Sequence, residues 1–232
     1  MAGQGDGRRA VVVGDGPIAL LNSIVLRLRG FESVLMIHGR STRGGWATAH
    51  GYFERADVIS SRGDVAVKVA ERFNGEPADV AVICTPGEAV ESSVLTALEY
   101  LKPGGLINFV SCAIPSVISL RSGDLDVQKL QRRNHSGLPT GGYVEDFESA
   151  SRKIVKMTGQ HGTSSAHIQA AVDLLTTDPQ PFNKLITDVV CFDKADSFIS
   201  SAVEWSLGRG VGDRPRPMKA VIELNEDSLF LM

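Results

Sequence analysis

Short apolar runs alternate with longer stretches of helical periodicity through the first half of the chain. Residues 10–13, 33–37, 58–59, 80–84 and 106–110 read as strands buried on both faces. Between the first two, Ile18, Leu21, Ile24, Val25 and Leu28 share one helical face. Pro17 opens that helix at the favoured first position, and Gly30 ends it as a left-handed cap. Residues 46–53 read as a short helix, and Val65, Val69 and Phe73 mark the next. Val94, Leu95, Leu98 and Leu101 line another, closed by Lys102-Pro103-Gly104-Gly105. Strand and helix in strict turn predict an α/β fold: a doubly wound parallel sheet covered on both faces.

The second half is less regular. Residues 123–133 hold strand-like pieces, and 134–152 is polar and glycine-bearing, as an inserted loop would be. Residues 153–157 read as a sixth strand, and Thr163 caps a helix that runs through Ala171 and Leu175. A strand over 185–192, a helix capped by Asp193 or Asp196 and reaching Leu207, and a strand over 218–224 complete the pattern. The basic loop 208–217 precedes that last strand. The expected division is a disordered leader 1–9, a large domain 10–184, and a strand–helix–strand appendage 185–232.

Composition narrows the picture. A chain of 232 residues makes one large domain, or one domain with a modest appendage. The net charge of -3 argues against a general nucleic-acid binder. No apolar run approaches the roughly 20 residues of a membrane span, and residues 1–9 lack the apolar core of a signal peptide. Cys84, Cys112 and Cys191 match no metal knuckle and no C-x-x-C pair, and the five histidines form no H-E-x-x-H pattern. A cytoplasmic location is expected.

The candidate chemistry begins at Gly14-Asp15-Gly16-Pro17-Ile18-Ala19, directly after the first strand. Gly14 permits a tight turn, Gly16 lets backbone approach a pyrophosphate, and Ala19 allows close helix–strand packing. Free N–H groups at the helix start then face the phosphates, although Asp15 places a carboxylate nearby. At the end of the second strand an NAD site ordinarily carries Asp or Glu, about 20 residues beyond the turn. Here His38 holds that place, followed by Gly39, Arg40, Ser41, Thr42 and Arg43. Two guanidiniums and two hydroxyls suit a 2′-phosphate, so NADP(H) is favoured over NAD(H). His135 and His161 are the candidate general acids or bases. His167 reads as structural, and Arg214, Arg216 and Lys219 as a solvated basic loop, the alternative being a reach toward phosphates.

Residues 11–19, the run Ala78-Asp79-Val80 leading to Cys84-Thr85-Pro86-Gly87, and Leu101-Lys102-Pro103-Gly104-Gly105 resemble the medium-chain dehydrogenase/reductases, and most of all their zinc-type alcohol, sorbitol and threonine dehydrogenase branch. Thr158-Gly159-Gln160-His161-Gly162-Thr163-Ser164, the run 170–175, and the final Met218-Lys219-Ala220-Val221-Ile222 extend the likeness. The resemblance implies a Rossmann fold and an NADP(H)-dependent alcohol–carbonyl oxidoreductase. It places Gly14, Gly16, Pro17 and Ile18 on the pyrophosphate, Arg40, Ser41 and Arg43 on the 2′-phosphate, Thr85 and Pro86 beside the ribose, and Ser111 near the nicotinamide. In that family a GroES-like domain precedes the cofactor domain and holds most of the zinc ligands. No Cys or His stands before Val11, so the ligands map to no residue and no zinc is expected. The alternative is a non-catalytic NADP(H)-binding subunit, or a degenerate relative that needs a separate GroES-like partner chain. The Tyr-x-x-x-Lys pair of the short-chain dehydrogenases is missing at Tyr52, Tyr100 and Tyr143. The family also implies a homodimer through the sheet edge near residues 153–159, where an unpaired strand invites pairing.

Overall fold

The computed structural model describes residues 8–39, 41–110, 117–120, 123–134, 144–149, 151–206 and 218–223, with backbone alone at 41–43 and 205–206. The elements in order are β1 (Arg9–Val13), α1 (Pro17–Leu28), β2 (Ser33–His38), α2 (Ser41–Ala49), β3 (Val58–Ser60), α3 (Val65–Arg72), β4 (Ala78–Ile83), α4 (Gly87–Tyr100), β5 (Leu101–Phe109), β6 (Val117–Leu120), β7 (Gly123–Asp126), α5 (Val127–Arg133), β8 (Glu145–Glu148), β9 (Ile154–Gly159), α6 (Ser165–Thr177), α7 (Gln180–Asn183), β10 (Asp188–Cys191), α8 (Ala195–Ser206) and β11 (Ala220–Glu223). The chain divides into two compact units at Thr177/Asp178.

The first unit is built on a seven-stranded sheet in the order β3-β2-β1-β4-β5-β9-β8. All pairs are parallel except β8 with β9. Sequential strands run outward from β1 on one side, then restart from β4 on the other. That reversal is the switch point of a doubly wound fold, and ligands in such sheets bind at the carboxyl ends beside it. The expected Rossmann architecture is therefore present. The smaller sheet β6–β7 is an antiparallel hairpin.

Alternation along each strand supplies two buried faces. Val11, Val13, Leu35, Ile37, Ala81 and Ile83 join a core with Val69, Val90, Val94 and Phe109. Val12, Met36 and Val82 are buried on the opposite side of the pleat. Register aligns Val13 with Ile37 and Ile83, Ile83 with Phe109, and Phe109 with Gly159. One row of residues thus crosses the sheet, and the loops leaving it form a continuous carboxyl edge.

Several local expectations need correction. The buried face of α1 is Ala19, Leu20, Ser23 and Ile24, while Ile18, Val25 and Leu28 are exposed. Small side chains win the sheet-facing positions because they let the helix axis approach the strands, and the Ser23 hydroxyl is satisfied on the Ala19 carbonyl at 2.9 Å. The short helix starts at Ser41 and stops at Ala49, leaving Tyr52 and Phe53 buried in the following loop. Leu101 begins β5 rather than ending α4. Residues 127–133 are helical, capped by Asp126, whose carboxylate accepts the Lys129 N–H at 2.8 Å. The expected loop contains β8, and Ser164 rather than Thr163 accepts the first-turn N–H of His167, at 3.3 Å. Because β8 covers β9, the strand expected to form the free edge is paired on both sides.

Asp79, at the start of β4, ties three strands together. Its carboxylate accepts the Arg9 N–H at 2.7 Å and pairs with the Lys102 ammonium. Burial alone would raise its pKa, but the Lys102 and Arg9 hydrogen bonds outweigh it and hold the carboxyl below the usual carboxylate range. A depressed folded-state pKa stabilises above the unfolded value and loses that contribution as pH falls through the folded one. Asp79→Asn is therefore expected to cost about 1–3 kcal/mol near neutral pH and progressively less below pH of about 4. Urea denaturation across that range checks this; a pH-independent difference would refute it.

In the second unit, β10 and β11 form a two-stranded parallel sheet, with Asp188 paired to Ala220 and Cys191 to Glu223. The helix α8 lies between them in sequence, giving the expected strand–helix–strand. Residues 207–217 lie outside the described residues.

Candidate functional site

A cleft of about 240 Å³ opens at the carboxyl edge, lined by Val13, Gly14, Ile37 and Gly39 together with Ser61, Val65 and Thr85. Its base is the turn after β1. Gly14 has φ +134°, and a Cβ built there would stand 2.8 Å from the Cys84 carbonyl oxygen and 3.1 Å from the Cys84 Cβ. Only glycine fits, on conformational and steric grounds together. The turn is pinned on both sides: the Gly14 N–H donates to the Ile37 carbonyl at 2.8 Å, and the Cys84 N–H to the Val13 carbonyl at 2.8 Å.

Gly16 is the extended N-cap of α1 and supplies no side chain, and Pro17 takes the first helical position. The first intrahelical bond runs from the Leu20 N–H to the Gly16 carbonyl, at 3.1 Å. The N–H groups of Ile18 and Ala19 precede it and have no helical acceptor, and no acidic residue lies in the first turn. This end of α1 is therefore suited to an anion. Asp15 is half-buried beside it.

At the end of β2, the His38 ring packs against α2: a Cβ at Gly44 would stand 3.1 Å from its Cγ and Cδ2. Among the described residues its buried Nδ1 has no hydrogen-bond partner, and its carbonyl accepts the Ser61 N–H at 3.0 Å. Gly39 is exposed at the cleft. Helix α2 begins at Ser41, so Ser41 and Arg43 stand in its first turn, with side chains outside the described residues. Arg40, Ser111 and His135 also lie outside the described residues. Thr85 follows β4, its Oγ1 3.4 Å from the Ser93 Oγ, and Pro86 is the N-cap of α4. His161 is exposed just past β9. Burial pushes the Cys84 thiol up to about 12, which leaves it protonated beneath the turn.

Thus Gly14, Gly39 and Thr85 meet in one cleft, while Gly16, Pro17 and Ile18 open the helix beside it. Sequence reasoning missed Ser61 and Val65. Their signal was present: they follow the third strand, and ligands gather at carboxyl strand ends. Among the described residues, no three His, Cys, Asp or Glu side chains cluster to hold a metal ion, and no helix is long and apolar enough to cross a membrane.

The fold and this edge define a doubly wound Rossmann domain. No model of a known protein family matches the chain. The probable D-xylulose reductase A of Aspergillus terreus is 26% identical over 208 residues, which is 88% of this chain and 50% of that protein. The human transketolase-like protein 2 is 30% identical over 131 residues, 56% of this chain but 18% of that protein. Among solved structures, a Thermotoga maritima alcohol dehydrogenase superposes with TM-score 0.64 at 18% identity, over 94% of this chain and 50% of that one. The Haloferax mediterranei glucose dehydrogenase in complex with NADP, zinc and gluconolactone gives 0.60 at 17%, over 95% and 52%. The chain is thus similar to medium-chain dehydrogenase/reductases, and it spans about half the length of the D-xylulose reductases it matches.

Proposed function

We propose that the chain binds NADP(H) along the carboxyl edge and serves an alcohol–carbonyl oxidoreduction of the polyol type. The observation that carries this is the turn at Gly14: a cradle that a Cβ would fill, leading into a helix start with free N–H groups and no first-turn carboxylate. The residues fit a dinucleotide. The start of α1 would take the pyrophosphate, the cleft from Ile37 to Thr85 the adenosine, and the first turn of α2 the 2′-phosphate. His38 stands where a carboxylate would otherwise grip the ribose and repel that phosphate. When bound, the nicotinamide supplies or accepts the hydride. The chain's own contribution is to fix the cofactor's phosphates by backbone donors and to wall its adenosine half with apolar and hydroxyl side chains.

Support for the class of reaction comes from the relatives: proteins described as D-xylulose reductases, and a glucose dehydrogenase solved with NADP. Titration with NADPH and NADH, followed by the emission of Trp46 on α2, tests the reading. Binding of NADPH at least ~10-fold tighter than NADH, as one charge-assisted phosphate contact provides, is the expected result. Equal affinities would remove the NADP(H) assignment, and no binding of either would remove the dinucleotide site.

A second reading is a cofactor-binding subunit that needs a GroES-like partner chain. NADPH turnover with a carbonyl panel, measured with and without a separately produced GroES-like domain, separates the two. A homodimer, a cytoplasmic location and the absence of zinc belong to the same proposal.

A further inference from the structure

Asn134 follows α5 and is 5% exposed, one of few buried polar side chains among the described residues. Its amide reaches across to the end of β9: Nδ2 donates to the Gly159 carbonyl at 2.7 Å and lies 3.1 Å from the Thr158 Oγ1. A third oxygen, the Leu130 carbonyl, stands at 3.4 Å. The contact is tight elsewhere too, since a Cβ at Gly159 would meet the Gln131 Cγ at 2.8 Å. So α5 closes directly onto the last residues of β9.

The place of that contact gives it meaning. Gly159 lies in the same register row as Phe109, Ile83 and Val13, the residue before the phosphate turn. Gln160 therefore leaves the carboxyl edge three strands from Gly14, about 14 Å at the usual strand spacing. The adenosine cleft lies around the turn, between Ile37 and Ser61 on one side and Thr85 and Ser93 on the other, and none of its described lining residues belongs to β5 or β9. In a doubly wound sheet a dinucleotide crosses the switch point, so its other half lies over β4, β5 and β9. A peptide group is planar, with its C=O and N–H opposed. Holding the Gly159 carbonyl from α5 thus sets the orientation of the whole Gly159–Gln160 peptide.

We infer that Asn134 is a positioning residue for the nicotinamide half of the dinucleotide, acting through the β9 terminus and not by touching the adenosine half. This rests on the dinucleotide reading proposed above. The probes are NADPH, which carries both halves, and 2′,5′-ADP, which carries only the adenosine half. In Asn134→Leu, which keeps the branched shape and removes the donors, NADPH affinity is expected to fall about 10-fold, in line with the loss of one or two hydrogen bonds and a freed buried carbonyl. Affinity for 2′,5′-ADP is expected to stay within twofold. Thr158→Val, which removes one acceptor and keeps the strand, is expected to move the same ratio about threefold, and it carries the test if Asn134→Leu does not fold. Equal loss for both probes, or no change in either, would overturn the inference and show a purely structural clamp. Equal affinity of the unmodified chain for both probes would also overturn it, while leaving the adenosine site in place. If the unmodified chain binds neither, the dinucleotide reading itself falls, and this inference with it.

Discussion

Gly14→Ala is expected to abolish measurable NADPH binding and to destabilise the fold by about 3–5 kcal/mol. Two independent costs combine. At φ +134° an L side chain sits in backbone territory that costs about 1–3 kcal/mol. The added methyl also meets the Cys84 carbonyl at 2.8 Å, inside contact distance, and overpacking at a rigid site costs about 1–3 kcal/mol more. Neither neighbour can yield cheaply, because the Cys84 backbone is itself bound to β1 through its N–H. Any relief must come from shifting the turn, which moves the start of α1 away from the phosphates. Urea denaturation and NADPH titration measure the two effects. A Gly14→Ala protein that binds within threefold of the parent would show that the turn holds no phosphate.

The second large effect concerns the choice between cofactors. Arg40→Ala/Arg43→Ala is expected to weaken NADPH about 100-fold, the scale of two charge-assisted hydrogen bonds, and to leave NADH within threefold. Adding His38→Asp is expected to invert the preference, since a carboxylate there accepts the ribose hydroxyls and repels a 2′-phosphate. The His38 ring lies close against Gly44, and the smaller Asp side chain can be placed there without a clash. Parallel titrations of the parent and both variants with NADPH and NADH decide it. Unchanged NADPH affinity in the double variant would assign the basic run to solvent.

Why the strands were legible and the helix faces less so has a physical reason. Buried parallel strands are apolar throughout, so runs such as 10–13 announce themselves without regard to register. A helix face is set by which side approaches the sheet, and α1 turns its small residues inward. Hydrophobicity alone chose Ile18 and Leu28, whereas the glycine–proline start and the Ala19/Ser23 pair carried the packing information. The turn at Gly14 was readable because one conformation and one close approach demand glycine. The hydroxyl wall at Ser61 was not, because serine after a strand fits any loop. The role given to Asn134 was invisible for another reason: its contacts are 24 and 25 residues away in sequence, and no local pattern encodes them.

The last strand of the sheet gives the molecule a guarded border. Of its four residues three are acidic, and Phe147 packs against the core. If two copies met there as antiparallel neighbours about a two-fold axis, a pairing centred on Asp146 would set that residue against its own copy, and one centred on Phe147 would set Asp146 against the partner's Glu148; like charges placed opposite one another oppose pairing. The outermost backbone groups, which would otherwise template the growth of a continuous ribbon, are thus guarded by charge. Any symmetric assembly of this chain at neutral pH has reason to use another face.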